Sequence, residues 1–99
     1  MEIYTDGSCM PNPGPMGAAY VIIKNNSIIH EDNFYKPNGT NNEGEYLAIQ
    51  KALEYYFNVY TESVILYSDS NLAIQQLNNN WKVKDPKLVY YYNSIKLLI

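Results

Sequence analysis

Asp6, Glu45 and Asp69 each stand where a regular element starts or ends. They lie in the stretches Tyr4-Thr5-Asp6-Gly7-Ser8, Thr40-Asn41-Asn42-Glu43-Gly44-Glu45 and Tyr67-Ser68-Asp69-Ser70. If the three carboxylates converge, they form an oxygen-only set of donors that suits Mg²⁺ or Mn²⁺ and offers nothing to a soft metal. That chemistry is phosphoryl transfer or hydrolysis. Taken singly, each residue has a structural explanation: Asp6-Gly7 is a turn dipeptide, Asn42-Glu43-Gly44-Glu45 has capping-box spacing, and Asp69-Ser70 is a helix N-cap. Three caps do not account for the Gly-Ser-Cys-x-Pro-Asn-Pro-Gly loop after Asp6, nor for Thr40-Asn41-Asn42 before Glu45.

The elements that must position these residues follow from local pattern. Glu2 to Ser8 is rich in strand formers, and Cys9 to Gly17, with three Pro and two Gly, reads as a loop or wide turn. Ala18 to Lys24 reads as a strand, Asn25-Asn26 as a hairpin turn, and Ser27 to Tyr35 as a third strand broken by Lys36-Pro37-Asn38-Gly39. From Asn42 the apolar positions Tyr46, Ile49, Leu53, Tyr56, Phe57 and Tyr60 follow helical spacing. Ser63 to Ser68 contains the unbroken run Val64-Ile65-Leu66-Tyr67, the pattern of a strand covered on both faces. Asp69 or Ser70 then caps a short helix with core positions at Leu72 or Ala73, Ile74 and Leu77, ending at Asn78 to Asn80. Lys82 to Pro86 is a connector, and Leu88 to Ile99 is a helix apolar at 88, 91, 92, 95, 98 and 99.

Three strands, helix, strand, helix, helix fits a mixed sheet with helices packed on it. A helical crossover lets strand 63–68 lie parallel to strand 2–8, and sites in such sheets form beyond the carboxyl ends of neighbouring parallel strands. Strands lie ~4.8 Å apart, so Asp6 and Asp69 repel each other unless a cation lies between them. Glu45 falls one turn before Ile49, at the margin of the buried stripe, and can look toward the sheet.

Composition bounds the rest. Ninety-nine residues, 46% hydrophobic, make a single domain over 1–99. The net charge is −3, all seven basic residues are Lys, and no broad cationic surface exists to grip a polyanion. Lys82, Lys84 and Lys87 form the one basic cluster, which otherwise reads as a solvated turn. Cys9 is the only cysteine, which excludes an intrachain disulfide and a zinc ribbon and suggests a cytoplasmic location. No apolar run approaches the ~20 residues of a membrane span, so no membrane partner is expected. His30 is read as structural, and most of Tyr90-Tyr91-Tyr92 as core.

At the residues Thr5-Asp6-Gly7-Ser8-Cys9 with Asn12-Pro13-Gly14, Thr40-Asn41-Asn42 with Glu45, and Ser68-Asp69-Ser70, the chain resembles a type 1 ribonuclease H domain. Lys82-Val83-Lys84 resembles, less specifically, a segment of the family's compact forms. The resemblance covers essentially all 99 residues. It implies an α/β fold with a ribonuclease H-like mixed sheet, here reduced to four strands, three antiparallel plus one parallel, with packed helices. It further implies an endonuclease that hydrolyses the RNA strand of RNA/DNA hybrids with two Mg²⁺ ions, for which Mn²⁺ can substitute. Asp6 would bridge both ions, with Glu45 and Asp69 completing their shells. Gly7, Cys9, Asn12, Asn41 and Asn42 would meet the minor groove, Thr40 a phosphate of the DNA strand, and Ser8, Ser70, Asn71, Trp81, Lys82 and Lys84 further parts of the substrate.

Family members continue past the last helix with a fifth strand and a further helix that carries a fourth carboxylate. Asp85 falls in the connector and is not assigned to that role. Without those elements strand 63–68 is an apolar sheet edge, open to a homodimer partner, a second polypeptide or the C-terminal helix. A rival to the nuclease is a hybrid-binding or regulatory module that keeps the site geometry without turnover. A remoter one is a structural assembly subunit.

Overall fold

A computed structural model describes residues 1–99. Its elements run β1 (Glu2–Cys9), β2 (Gly14–Lys24), β3 (Ser27–Gly39), α1 (Asn41–Val59), β4 (Ile65–Ser68), α2 (Asn71–Leu77) and α3 (Pro86–Leu98). The sheet order is β3-β2-β1-β4, with β1 antiparallel to β2, β2 antiparallel to β3, and β4 parallel to β1. This is the mixed α/β sheet that the element order implies.

Strand alternation decides which face is buried. Ile3 and Thr5 of β1 and Met16, Ala18, Tyr20 and Ile22 of β2 turn to one face, where Tyr46, Ile49, Leu53 and Tyr56 of α1 cover them. Leu88, Tyr91 and Ile95 of α3 close over the other side of α1. Because α1 lies between the sheet and α3, its buried surface is wider than a single stripe and takes in Leu47, Ala48 and Ala52, while Phe57 is 43% exposed. The opposite face of the sheet is open and carries Tyr4, Asp6 and Ser8.

Several boundaries differ from the sequence reading. β2 starts at Gly14, and β3 continues through Lys36-Pro37-Asn38-Gly39. Pro37 is tolerated because β3 is an edge strand and its register shifts there, Met16 pairing with Lys36 but Gly14 with Gly39. Asn25 and Asn26 make the hairpin turn with φ of 52° and 64°, as the left-handed tolerance of Asn predicts. Asp85 caps α3, its Oδ1 accepting from Lys87 N at 2.9 Å. His30 is structural in setting, stacked 3.7 Å from Tyr55 and hydrogen-bonded to the Tyr20 hydroxyl. Of the three consecutive tyrosines only Tyr91 is core, and Tyr90 is 67% exposed.

β4 departs most from expectation. Its outer face is uncovered, with Ile65 60% and Tyr67 42% exposed. α3 packs on α1 and leaves the β4 edge bare. No helix is long and apolar enough to cross a membrane.

Candidate carboxylate site

The site is built where α1 starts against β1. Thr40 is the N-cap of α1, its Oγ1 accepting from Glu43 N at 3.2 Å, while Glu43 Oε1 accepts from the Thr40 hydroxyl at 3.4 Å. The cap therefore falls on Thr40 with Glu43, not on Asn42 with Glu45, and only half of a capping box forms, since Glu43 meets the Thr40 hydroxyl and not its backbone N–H. Glu45, freed from that duty, turns to the sheet.

Two glycines let the helix come this close. A Cβ on Gly7 would lie 2.1 Å from the Gly44 carbonyl carbon and 2.4 Å from Glu45 N, so β1 and α1 meet backbone to backbone. Across that contact Gly7 N–H donates to Glu45 Oε1 at 3.0 Å. The Ser68 hydroxyl at the end of β4 donates to Glu45 Oε2 at 3.4 Å and itself accepts from Ser70 N at 3.1 Å. Glu45 therefore spans the ends of the two parallel strands that carry Asp6 and lead to Asp69. The Thr5 hydroxyl donates to Tyr67 O at 3.2 Å and ties the same strands below it.

Asp6 and Asp69 are exposed, accept no hydrogen bond, and line one hollow of about 450 Å³ with Tyr4, Thr5, Tyr67 and Ser68. Tyr4 and Tyr67 stack at 4.8 Å along its wall. Burial pushes the Glu45 carboxyl above its ordinary value. The Gly7 N–H opposes that rise, Asp6 adds to it, the Ser68 hydroxyl opposes it, and Asp69 adds again. The three carboxylates thus share one electrostatic neighbourhood.

They do not form a closed cage. No three His, Cys, Asp or Glu side chains are gathered tightly enough to hold a metal ion. Asp6 and Asp69 are exposed, and neither has a hydrogen-bond partner to fix it. The donor chemistry still fits a hard divalent cation: every available group is a carboxylate oxygen, and the set lacks imidazole and thiolate.

The other residues singled out in the sequence fall into two groups. Cys9 N donates to Asn41 Oδ1 at 2.7 Å, and Asn41 N donates to Asn12 Oδ1 at 3.2 Å, so the loop after β1 is laced to the start of α1. The Cys9 thiol is buried and contacts the carbonyls of Pro11, Gly14 and Gly39, which leaves it no surface for a ligand. Ser8, Asn12, Asn41 and Asn42 are exposed around this corner. Ser70 caps α2 by accepting from Ala73 N, and Asn71 Oδ1 accepts from Gln75. Trp81, 46% exposed, stands with Lys82 and Lys84 on the connector between α2 and α3, and none of the three lines the hollow at Asp6 and Asp69. Ser68 is the site residue that sequence reasoning passed over. Its signal was present in the Ser-Asp-Ser triplet, where Asp69 and Ser70 drew roles and Ser68 did not.

The comparisons with known proteins agree with this architecture. The RNase H family model matches residues 1–94. A ribonuclease H of Neorickettsia sennetsu is 38% identical over 87 residues, covering 81% of this chain and 58% of that protein. A ribonuclease H of Campylobacter jejuni is 39% identical over 90 residues, covering 88% of this chain and 60% of that protein. Among solved structures, LC11-RNase H1 in complex with RNA/DNA hybrid superposes with a TM-score of 0.89 at 33% identity, covering 98% of this chain and 74% of that one. The chain belongs to the RNase H family. It spans about three fifths of the length of the curated relatives it matches.

Proposed function

We propose that this domain is a divalent-metal-dependent endonuclease acting on the RNA strand of RNA/DNA hybrids in the cytoplasm. One observation carries the reading: Glu45 is hydrogen-bonded at once to Gly7 on β1 and Ser68 on β4, between the strand ends that bear Asp6 and Asp69. Family membership and the hybrid bound to LC11-RNase H1 support the substrate class.

Asp6, Glu45 and Asp69 would hold Mg²⁺ or Mn²⁺. Two such ions, when bound, activate the attacking water and stabilise the leaving 3′ oxygen. The chain's own groups do the rest. Exposed Asp6 and Asp69 can swing toward the scissile phosphate, whereas Glu45 is fixed and serves as the reference point for the 2′-hydroxyl that separates RNA from DNA. Gly7, Ser8, Asn12, Asn41 and Asn42 present the minor-groove surface, to which Cys9 contributes through its backbone. Thr40, with Asn41 beside it, meets a phosphate at the N-terminus of α1, where the helix dipole favours an anion. Ser70 and Asn71 flank Asp69, and Trp81 with Lys82 and Lys84 supplies stacking and charge farther along the duplex.

A second reading starts from the exposed, unpartnered Asp6 and Asp69 around the fixed Glu45: a module that binds hybrids without cutting them. One assay separates the two, cleavage of a labelled RNA/DNA hybrid with Mg²⁺, Mn²⁺ or chelator, repeated with Asp6→Asn and Asp69→Asn. Metal-dependent cutting lost in both variants supports the nuclease. Hybrid binding without cutting selects the module, and absence of both activities defeats the assignment.

A further inference from the structure

Thr40 is committed twice inside the chain. Its hydroxyl oxygen accepts from Glu43 N–H at 3.2 Å, and the same hydroxyl donates to Glu43 Oε1 at 3.4 Å. The neighbouring donor is taken as well, since Asn41 N–H is bonded to Asn12 Oδ1 at 3.2 Å. Glu43 is the acidic residue of the first turn of α1, and no cation pairs with it: the ion pairs of the chain are Lys24 with Glu62 and Lys51 with Glu54. An uncompensated carboxylate thus already sits where the helix dipole draws an anion, on the very hydroxyl assigned to a phosphate.

We propose that Glu43 sets the affinity of the hybrid site, acting as a built-in anion that a backbone phosphate must displace from Thr40. The inference rests on the reading of Thr40 as a phosphate contact. Two costs follow from the arrangement. The Thr40 hydroxyl exchanges one anionic acceptor for another, so the incoming phosphate gains no net hydrogen bond there. The displaced carboxylate remains rooted in α1, within the ~8 Å over which charges act at physiological salt, and repels the phosphate. Little elsewhere offsets it, because the chain carries a net charge of −3, has no Arg, and keeps its one basic cluster at Lys82, Lys84 and Lys87.

Binding and stability pull in opposite directions at this residue. A carboxylate in the first turn complements the helix dipole, so Glu43 favours α1 while it opposes the phosphate. Removal of a residue with a structural role alone would weaken both.

The test is fluorescence anisotropy of a labelled RNA/DNA hybrid titrated with the full chain in chelator, at low and high salt, beside thermal melting of each variant. Glu43→Gln removes the charge and keeps an acceptor for Thr40, whereas Glu43→Ala removes both. Glu54→Gln is the control, the same change in net charge about 16 Å farther along the helix axis. At low salt Glu43→Gln should bind the hybrid about threefold tighter or more than Glu54→Gln, and Glu43→Ala at least as tightly as Glu43→Gln. The gain should shrink at high salt, where such a repulsion is screened, and it should be smaller in a Thr40→Ala background, which has no hydroxyl to free. Both Glu43 variants should melt at or below the parent. Equal affinity of Glu43→Gln and Glu54→Gln, a gain that salt or Thr40→Ala leaves undiminished, or a gain matched by a higher melting temperature overturns the proposal, while hybrid binding itself leaves the broader reading in place. Absence of hybrid binding in the parent and in every variant defeats that reading, and this inference with it.

Discussion

Glu45 and Asp69, both assigned to the proposed site, stand on supports of opposite character. Glu45 rises from a nineteen-residue helix capped by Thr40 and pressed on β1 through Gly7 and Gly44, and both of its oxygens are engaged. Asp69 follows a four-residue edge strand, is exposed, and has no hydrogen-bond partner. One half of the site is set by backbone contact, and the other is left to adjust. For the proposed cation site this would mean one fixed reference carboxylate and two exposed ones, which avoids the cost of holding three bare carboxylates together in the folded protein.

That contrast can be broken at the fixed half first. Gly7→Ala puts a methyl group into the Gly44 carbonyl, where backbone and not a flexible side chain must yield, so α1 has to lift from β1. A loss of about 3 kcal/mol or more in urea unfolding is expected. An unchanged midpoint would mean that the close approach is not what fixes Glu45. Thr40→Ala removes the cap without touching the contact and should cost about 1 kcal/mol, with Thr40→Ser restoring most of it.

At the mobile half the effects shrink. Ser68→Ala deletes a long hydrogen bond to Glu45 and one from Ser70 N, both near solvent, for about 0.5–1 kcal/mol by the same measurement. A loss as large as that of Gly7→Ala would show that β4 is as rigid a support as α1.

The finest distinction is electrostatic. Because the Glu45 pKa is raised in the folded chain, chiefly by burial, the native state binds its proton more tightly than the unfolded state does. The associated stability is present below the unfolded carboxyl value and lost as pH rises through the folded one. In chelator, Glu45→Gln should therefore melt higher than the parent near neutral pH, and the difference should fade on acidification. Its amide keeps an oxygen for Gly7 N–H and gains a donor toward Ser68. A variant that melts lower at every pH would mean that the charge of Glu45 is stabilising.

Local chemistry in the chain was enough to announce the strands, the Asn25-Asn26 turn, the long helix and the three acidic motifs, because alternation, helical spacing and turn preference are properties of neighbouring residues. It also placed Asp6 and Asp69 at the end of the parallel β1–β4 ladder, each one residue past the last pair, Thr5 with Ser68, although β1 itself runs on to Cys9 beside β2. What it misread shares one cause. The run Val64 to Tyr67 looks like a strand buried on both faces, yet burial depends on what the rest of the chain sets beside it, and α3 packs on α1 instead. Capping-box spacing fits Asn42 and Glu45 as well as Thr40 and Glu43, and the helix start that decides between them is fixed by the fit of Gly44 against Gly7. The grip of Ser68 on Glu45 joins residues twenty-three positions apart. Residue types named the donors of this site, and only the packing of α1 across β1 and β4 decided which of them would be held and which left free.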